Sequence, residues 1–244
     1  MKTTSRSDVL LLAAGLLVAS SVLAPSRAGC EQPSANTTTR SLPTYVAPAS
    51  DFPARRIGAG IRGMGSFGAI QILAPDHLGY TMSDQPTLYW YLAEPTSTRI
   101  EFTLRDESSV DPIVEVGLPS PAQPGIQAVR LADFGVKLQS DTRYLWFVSL
   151  VTDPERRSRD FTSGAWIMRR PLDEALRARL AAAGASEAAV FAESGYWYDA
   201  IGVLSQQIAA MPTDAKIHAQ RAALLDQVGL SEVATHDREQ PAVR

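Results

Sequence analysis

Two segments of this chain are apolar or aromatic on both of their alternating faces, Thr87–Leu92 (TLYWYL) and Arg143–Val151 (RYLWFVSLV). Such segments read as central strands covered on both sides. Between them, residues 99–105 alternate strictly. Ile100, Phe102 and Leu104 point one way, and Arg99, Glu101, Thr103 and Arg105 point the other, as in a half-buried strand with a wet face. Weaker strand patterns occupy 69–73, 113–118, 126–131 and 164–169, and turn signals separate all seven: Pro75-Asp76, Asp84-Gln85-Pro86, Pro95, Asp106, 119–125, Ser140-Asp141 and Asp153-Pro154. Seven short strands with no helical pattern between them predict an antiparallel β-sandwich over residues 66–172.

Within it, Leu138-Gln139-Ser140-Asp141-Thr142-Arg143-Tyr144 resembles the leucine-to-tyrosine spacing before a late strand of fibronectin type III and immunoglobulin-like domains. There the tyrosine hydroxyl bonds back to the preceding turn. The resemblance implies that Leu138 and Tyr144 are structural and that Trp90 and Trp146 are core aromatics.

The pattern changes after Leu172. Leu172, Leu176 and Leu180 recur every four residues, and Asp173 and Glu174 stand where acids favour a helix start. Three pairs recur 34 residues apart: Ala188 and Ala222, Phe191 and Leu225, Gly195 and Gly229. That is the period of tetratricopeptide repeats. Gly195, Trp197, Ala200, Leu204 and Pro212 suit the second helix of such a unit, and 213–228 would open another. Gly184 and Glu187 stand where the first helix of the motif has tryptophan and leucine. Residues 173–230 are therefore expected to form a tetratricopeptide-like helical hairpin, with Trp197 and Ala200 packed inside. The polar stretch 231–244 is expected to be a flexible tail.

The other end of the chain reads as an address and a tether. Lys2 and Arg6 precede the uncharged run 9–24 (VLLLAAGLLVASSVLA), and Ser26-Arg27-Ala28 is an A-x-A-like cleavage site. Residues 1–28 are expected to be a signal peptide cleaved after Ala28, which directs the chain to the periplasm or the cell exterior. A lipid anchor at Cys30 is the competing reading, against which stands Arg27 where a lipoprotein site has an aliphatic residue. No later stretch is long and apolar enough to span a membrane. Residues 29–65, rich first in Pro, Ser and Thr and then in Gly and Arg, are expected to be a disordered linker. Gly58, Gly60 and Gly63 spell G-x-G-x-x-G. Proline-rich sequence precedes them and further glycines follow, so neither the strand nor the helix of a dinucleotide site is expected.

Chemistry is sparse. Lys and Arg number 23 against 26 Asp and Glu, for a formal charge of −3, so the chain lacks the basic excess that nucleic-acid binding needs. One cysteine excludes an internal disulfide and a cysteine-built metal centre. No catalytic, cofactor or metal constellation is apparent. The densest charge lies in 153–160, where Asp153, Arg156, Arg157, Arg159 and Asp160 are candidates for a partner-binding loop or for a self-paired hairpin. His77 reads as a turn or packing residue.

Several strings stand in order along the chain. They are Ala74-Pro75-Asp76-His77-Leu78-Gly79-Tyr80-Thr81, Pro86-Thr87-Leu88-Tyr89-Trp90-Tyr91-Leu92, Trp146 to Leu150 with Asp153-Pro154, Gly164-Ala165-Trp166-Ile167, and Gly195-Tyr196-Trp197-Tyr198-Asp199-Ala200. Together they resemble the family of bacterial secreted or envelope proteins catalogued as domain of unknown function 928. The resemblance runs over roughly residues 55–230, implies an envelope location and brings no catalytic residue. The expected function is a non-catalytic protein-binding or assembly module whose partner is another envelope protein. The alternatives are a binder of carbohydrate or envelope polymer using exposed aromatics, and a hydrolase built on carboxylates such as Asp153, Asp160 and Glu193.

Overall fold

The doubly apolar segments lie in two different β-sheets that share one hydrophobic core with five helices. The computed structural model describes residues 42–50, 52–58, 70–119 and 124–240. Eight strands form: β1 (Ile70–Ile72), β2 (Gly79–Thr81), β3 (Thr87–Leu92), β4 (Arg99–Asp106), β5 (Val114–Leu118), β6 (Gly125–Arg130), β7 (Arg143–Val151) and β8 (Phe161–Arg169). One sheet has the order β1-β3-β6 and the other β2-β8-β7-β4-β5. The alternation of β4 becomes its register against β7, where Ile100, Phe102 and Leu104 face Leu150, Val148 and Trp146, all buried. The Ile72 N–H donates to the Ser163 hydroxyl at 3.2 Å and ties one sheet to the other.

Two expectations about the strands need correcting. The sheets are not purely antiparallel, because β2 runs parallel to β8. β2 is only three residues long and buried throughout, so it has no alternation to betray it. The outer face of β4 is not uniformly wet either. Glu101 is buried under the 153–160 loop, where the Arg157 guanidinium pairs with it and Arg99 Nη2 reaches it at 2.7 Å.

Leu138 is buried, and its N–H donates to Asp84 O at 2.7 Å. Tyr144 is also buried, and its hydroxyl accepts from the Gln139 N–H at 2.9 Å. Replacement by phenylalanine leaves that amide unpaired. Tyr144→Phe should therefore lower stability by about 0.5–1.5 kcal/mol, read as a shift of the urea midpoint at unchanged slope. An unmoved midpoint would show that the bond carries no net stability.

The helices are α1 (Glu174–Ala183), α2 (Glu187–Glu193), α3 (Trp197–Ala210), α4 (Ala215–Gln227) and α5 (Ser231–Glu239). Asp173 caps α1 by accepting from Leu176 N–H at 2.7 Å, and Asp214 caps α4 by accepting from Lys216 N–H at 2.9 Å. The 34-residue period appears in the backbone. α2 and α4 both end in a glycine with positive φ, Gly195 at 82° and Gly229 at 74°. Three residues past each helix end the chain closes back by equivalent bonds, Tyr196 N–H to Phe191 O at 3.0 Å and Leu230 N–H to Leu225 O at 2.9 Å. α3 and α5 then start 34 residues apart, at Trp197 and Ser231.

The expected tail at 231–240 is thus a correction. It forms α5 and turns over at Gly229 to complete the second helix pair, burying Val233, Ala234 and Asp237. Asp237 accepts from Arg221 Nε and Nη2 at 2.7 and 2.8 Å and bonds His218 Nδ1 at 2.7 Å. Residues 241–244 lie outside the described residues.

α3 joins the helices to the sheets. Trp197 Nε1–H donates to Leu73 O at 2.8 Å, and the Tyr198 hydroxyl accepts from Trp146 Nε1–H at 3.0 Å and donates to Trp166 O at 3.1 Å. A Cβ at Gly79 would stand 2.7 Å from the Tyr198 ring, so β2 accepts this helix only through glycine. Ala200, on the same helix, is fully buried.

The expected disordered linker is also corrected where it is described. Residues 42–50 and 52–58 run as an irregular strap across the helices and β8. Its far end forms an antiparallel bridge, with Ile57 N–H to Gly164 O at 2.7 Å and Gly164 N–H to Ile57 O at 2.9 Å. The few apolar residues of this polar stretch suffice, because the body supplies aromatic seats for them. Residues 1–41 and 59–69 lie outside the described residues, and with them the expected signal peptide, Cys30, Gly60 and Gly63. Among the described residues no helix is long and apolar enough to cross a membrane.

Candidate functional site

The strap crosses the helical end over α2, the start of α3 and the end of α4. Gln227, the last residue of α4, holds its main chain at two points. Oε1 accepts from Tyr45 N–H at 2.8 Å, and Nε2 donates to Pro43 O at 3.0 Å. One residue on, Val46 N–H donates to Ala192 O of α2 at 3.1 Å. The Tyr45 ring stacks on His77 at 5.6 Å and meets Trp197 edge-on at 4.9 Å. Its hydroxyl lies 2.8 Å from His77 Nε2. Burial pushes the His77 imidazole below its usual value, only partly offset by Asp76, and burial pushes the Tyr45 phenol up. Both groups are thus held neutral, and phenol and imidazole share one hydrogen bond whose donor follows the imidazole tautomer. Arg56 anchors the following turn. Its N–H donates to Asp76 Oδ1 at 2.8 Å and its Nη1 to Ala74 O at 2.8 Å.

A second site lies on the other side of α3. A cleft of about 300 Å³ is lined by Thr81, Met82 and Ser83 after β2, by Glu187 and Phe191 of α2, and by Asp199 and Gly202 of α3. Asp199 Oδ2 accepts from Met82 N–H at 3.0 Å and Oδ1 from the Thr81 hydroxyl at 3.3 Å. Protein surrounds the carboxyl on its sides while one face stays open to the cleft. Burial pushes it up to about 7; the bonds from Met82 and Thr81 work against the shift, and the nearby charge of Glu187 adds to it. Gly202 sits within the 14-residue helix α3, and a Cβ there would touch nothing within 4 Å. Packing therefore does not demand glycine, which weakens a helix interior by about 0.5–1 kcal/mol relative to alanine.

The raised carboxyl has a signed consequence. Its ordinary value is 3.8, so between that value and about 7 the folded state holds a proton that the unfolded chain has lost. The stability from this group is complete below about pH 4 and is lost as pH rises through 7. Asp199→Asn should keep the fold and remove that loss. The urea midpoint of the wild type should fall further than that of the variant between about pH 5 and about pH 8. Parallel midpoint curves would contradict the raised value.

The family model of the Domain of Unknown Function DUF928 matches residues 57–238. The chain belongs to the DUF928 family. No curated protein matches it. Among solved structures, the DUF928 chain is matched to astrotactin-2, described as a conserved vertebrate-specific and perforin-like membrane protein involved in neuronal development. Identity is 11% and the TM-score 0.26, over 72% of this chain and 36% of the astrotactin-2 chain. The DUF928 chain therefore spans about a third of that protein's length.

In the DUF928 chain the charged loop largely pairs with itself and with its sheet. Arg157 Nε meets Asp160 Oδ2 at 2.6 Å while its Nη2 holds Glu101, and Arg156 faces Asp153 at 3.9 Å. The Asp160 side chain is 5% exposed, whereas Arg156 and Arg159 face solvent. Of the carboxylates considered for hydrolysis, Glu193 pairs with Arg179 on α1 at 3.0 Å, and the structure does not bring it together with Asp153 and Asp160. Trp90, Trp146 and Trp197 are buried, and Trp166 is half-buried with Phe52 edge-on against it at 4.9 Å. Among the described residues no group of three His, Cys, Asp or Glu is placed to hold a metal ion.

Sequence reasoning missed Asp199, Glu187, Tyr45 and Gln227. Asp199 carried a signal, an acid set directly against the aromatic run Tyr196-Trp197-Tyr198. Tyr45 carried a weaker one, as an aromatic residue between prolines in a stretch otherwise short of large apolar side chains. Gln227 carried none.

Proposed function

We propose that this chain is an exported protein of the bacterial envelope and a non-catalytic protein-binding or assembly module. In this reading the two sheets are an immunoglobulin- or fibronectin-III-like sandwich, the helix pairs are tetratricopeptide-like, and the partner is another envelope protein. One observation carries the reading. Helices α2 and α4 hold an extended segment by its main chain, through Gln227 and Ala192, and His77 and Trp197 form an aromatic seat for its Tyr45. A surface that grips the chain's own extended segment in this way has the chemistry to grip another protein's.

The test is a photo-activated cross-linking residue at Ala189 on α2, compared with one at Glu115 on β5, in intact cells. A discrete adduct at a stoichiometric level from position 189 alone is the expected result. Equal diffuse labelling from both positions would sink the reading.

A second reading, a carboxylate-based hydrolase, is favoured by one specific observation. Asp199, its carboxyl pushed up to about 7, shares an open cleft with Glu187. A carboxyl that loses its proton near neutrality suits general acid–base work. Under this reading Asp199→Asn lowers turnover of an envelope polymer by about 100-fold or more at unchanged folding. Unchanged turnover in that variant would exclude Asp199.

A further inference from the structure

We propose that the surface formed by α2, the start of α3 and the end of α4 is a peptide site that reads Pro-x-Tyr-x-x-Pro in an extended segment of a partner protein, and that residues 43–48 of this chain occupy it in cis. The inference rests on the protein-binding reading and names the partner's chemistry.

The pattern comes from which strap residues face inward. Pro43 is buried and Tyr45 and Pro48 are half-buried, while Leu42, Thr44, Val46 and Ala47 face solvent, Leu42 60% and Val46 52% exposed. The three main-chain bonds, two to Gln227 and one to Ala192, are blind to side chains and hold any extended segment. A primary amide suits this task because it offers an acceptor and a donor side by side to the N–H and C=O of an extended chain. Selectivity comes from the seats. At the Tyr45 seat the phenol hydroxyl is hydrogen-bonded to His77 Nε2, so phenylalanine there would leave a half-buried imidazole nitrogen without its partner. At the Pro48 seat the proline ring lies 3.3 Å from where a Cβ of Gly195 would stand, a contact open only because Gly195 takes positive φ and carries no side chain. Pro43 also lines a cavity of about 170 Å³, beside Ala188, Ala189 and Val190 of α2 and the polar side chains of Ser186, Glu193 and Gln220.

The cis segment is displaceable in principle, because six of the nine residues 42–50 are exposed and its grip is confined to the inward side chains and three bonds. A tethered segment competes at an effective concentration on the order of millimolar, so the intact chain binds a free peptide weakly and loosening the tethered copy opens the site.

The test uses the full chain and a fluorescein-labelled peptide of residues 41–50, Ser-Leu-Pro-Thr-Tyr-Val-Ala-Pro-Ala-Ser. Tyr45→Ala empties the aromatic seat. Val46→Pro removes the N–H bonded to Ala192, sets a ring Cδ against that carbonyl and changes a side chain that faces solvent, so it loosens the strap without emptying the aromatic seat and carries the test where Tyr45→Ala does not fold. Thermal melts establish folding in each case. Fluorescence anisotropy should give at least tenfold tighter peptide binding to the folded loosened variants than to wild type. Adding Gln227→Ala to the loosened chain, or placing alanine for tyrosine in the peptide, should each lose at least tenfold. A folded, loosened variant that binds the peptide no better than wild type overturns the inference. A cross-link at position 189 without peptide binding overturns this inference and leaves the protein-binding reading standing. Peptide binding without any cross-linked partner leaves the peptide site standing and overturns its assignment to an envelope partner.

Discussion

Trp197→Ala should be among the most damaging single substitutions in the chain, costing about 3–5 kcal/mol and lowering the melting temperature by on the order of 10 °C. The indole is fully buried, so truncation opens a cavity where β1, β2, α3 and the strap meet. Two further losses accompany the cavity. The Leu73 carbonyl loses the indole N–H that it accepts at 2.8 Å, and Tyr45 loses the edge against which its ring rests. The strap should therefore loosen with the core. Hydrogen exchange at the Tyr45 and Val46 amides should accelerate in the variant under conditions where the β4 and β7 amides remain protected. A loss below about 1 kcal/mol would mean that the helices do not depend on this plug for their attachment.

Asp237→Ala should cost a similar amount for a different reason. Asp237 is fully buried on α5 and, among the described residues, is the one carboxylate bonded to the Arg221 guanidinium, which is itself 6% exposed. Removing the acid leaves a buried cation with the Ser205 hydroxyl at 2.9 Å as its remaining bonded partner, and His218 Nδ1 without its own. Breaking a buried pair from one side typically costs about 3–5 kcal/mol, because the surviving charge stays desolvated. The double variant Asp237→Ala with Arg221→Met should recover a large part of the loss, since the stranded charge is then gone. Urea denaturation of the two single variants and the double variant would measure this. Additive losses would mean that the pair is not coupled, and that α5 is held by its other contacts, such as Val233, Ala234 and the His236 ring against Tyr91.

Strands β3, β4 and β7 were legible in the sequence because each states its burial in its own residues. An alternating or doubly apolar run of six to nine residues needs no knowledge of its neighbours. The 34-residue spacing was legible for a related reason, since Gly195 and Gly229 do the same local job at equivalent helix ends. Where the reading stopped is instructive. Residues 231–239 carry alternating charge and no long apolar run, yet α5 forms, because its one buried acid has His218 and Arg221 waiting on α4. The strap reads as a polar linker, and it is ordered by seats that belong to residues up to 184 positions away.

What the sequence determined by itself is the local part of this protein: seven of the eight described strands, the start of α1 and the 34-residue period of the helical region. Those are decided by side-chain periodicity, capping residues and glycines, all of which act within a few residues along the chain. What only the tertiary structure decided is the parallel placement of β2 beside β8, the burial of Glu101 under Arg157, the meeting of Gln227 with Pro43 and Tyr45, and the displaced titration of Asp199. In each case the deciding quantity is the loss of water from a polar or short apolar group, and that loss depends on which distant segment arrives to cover it.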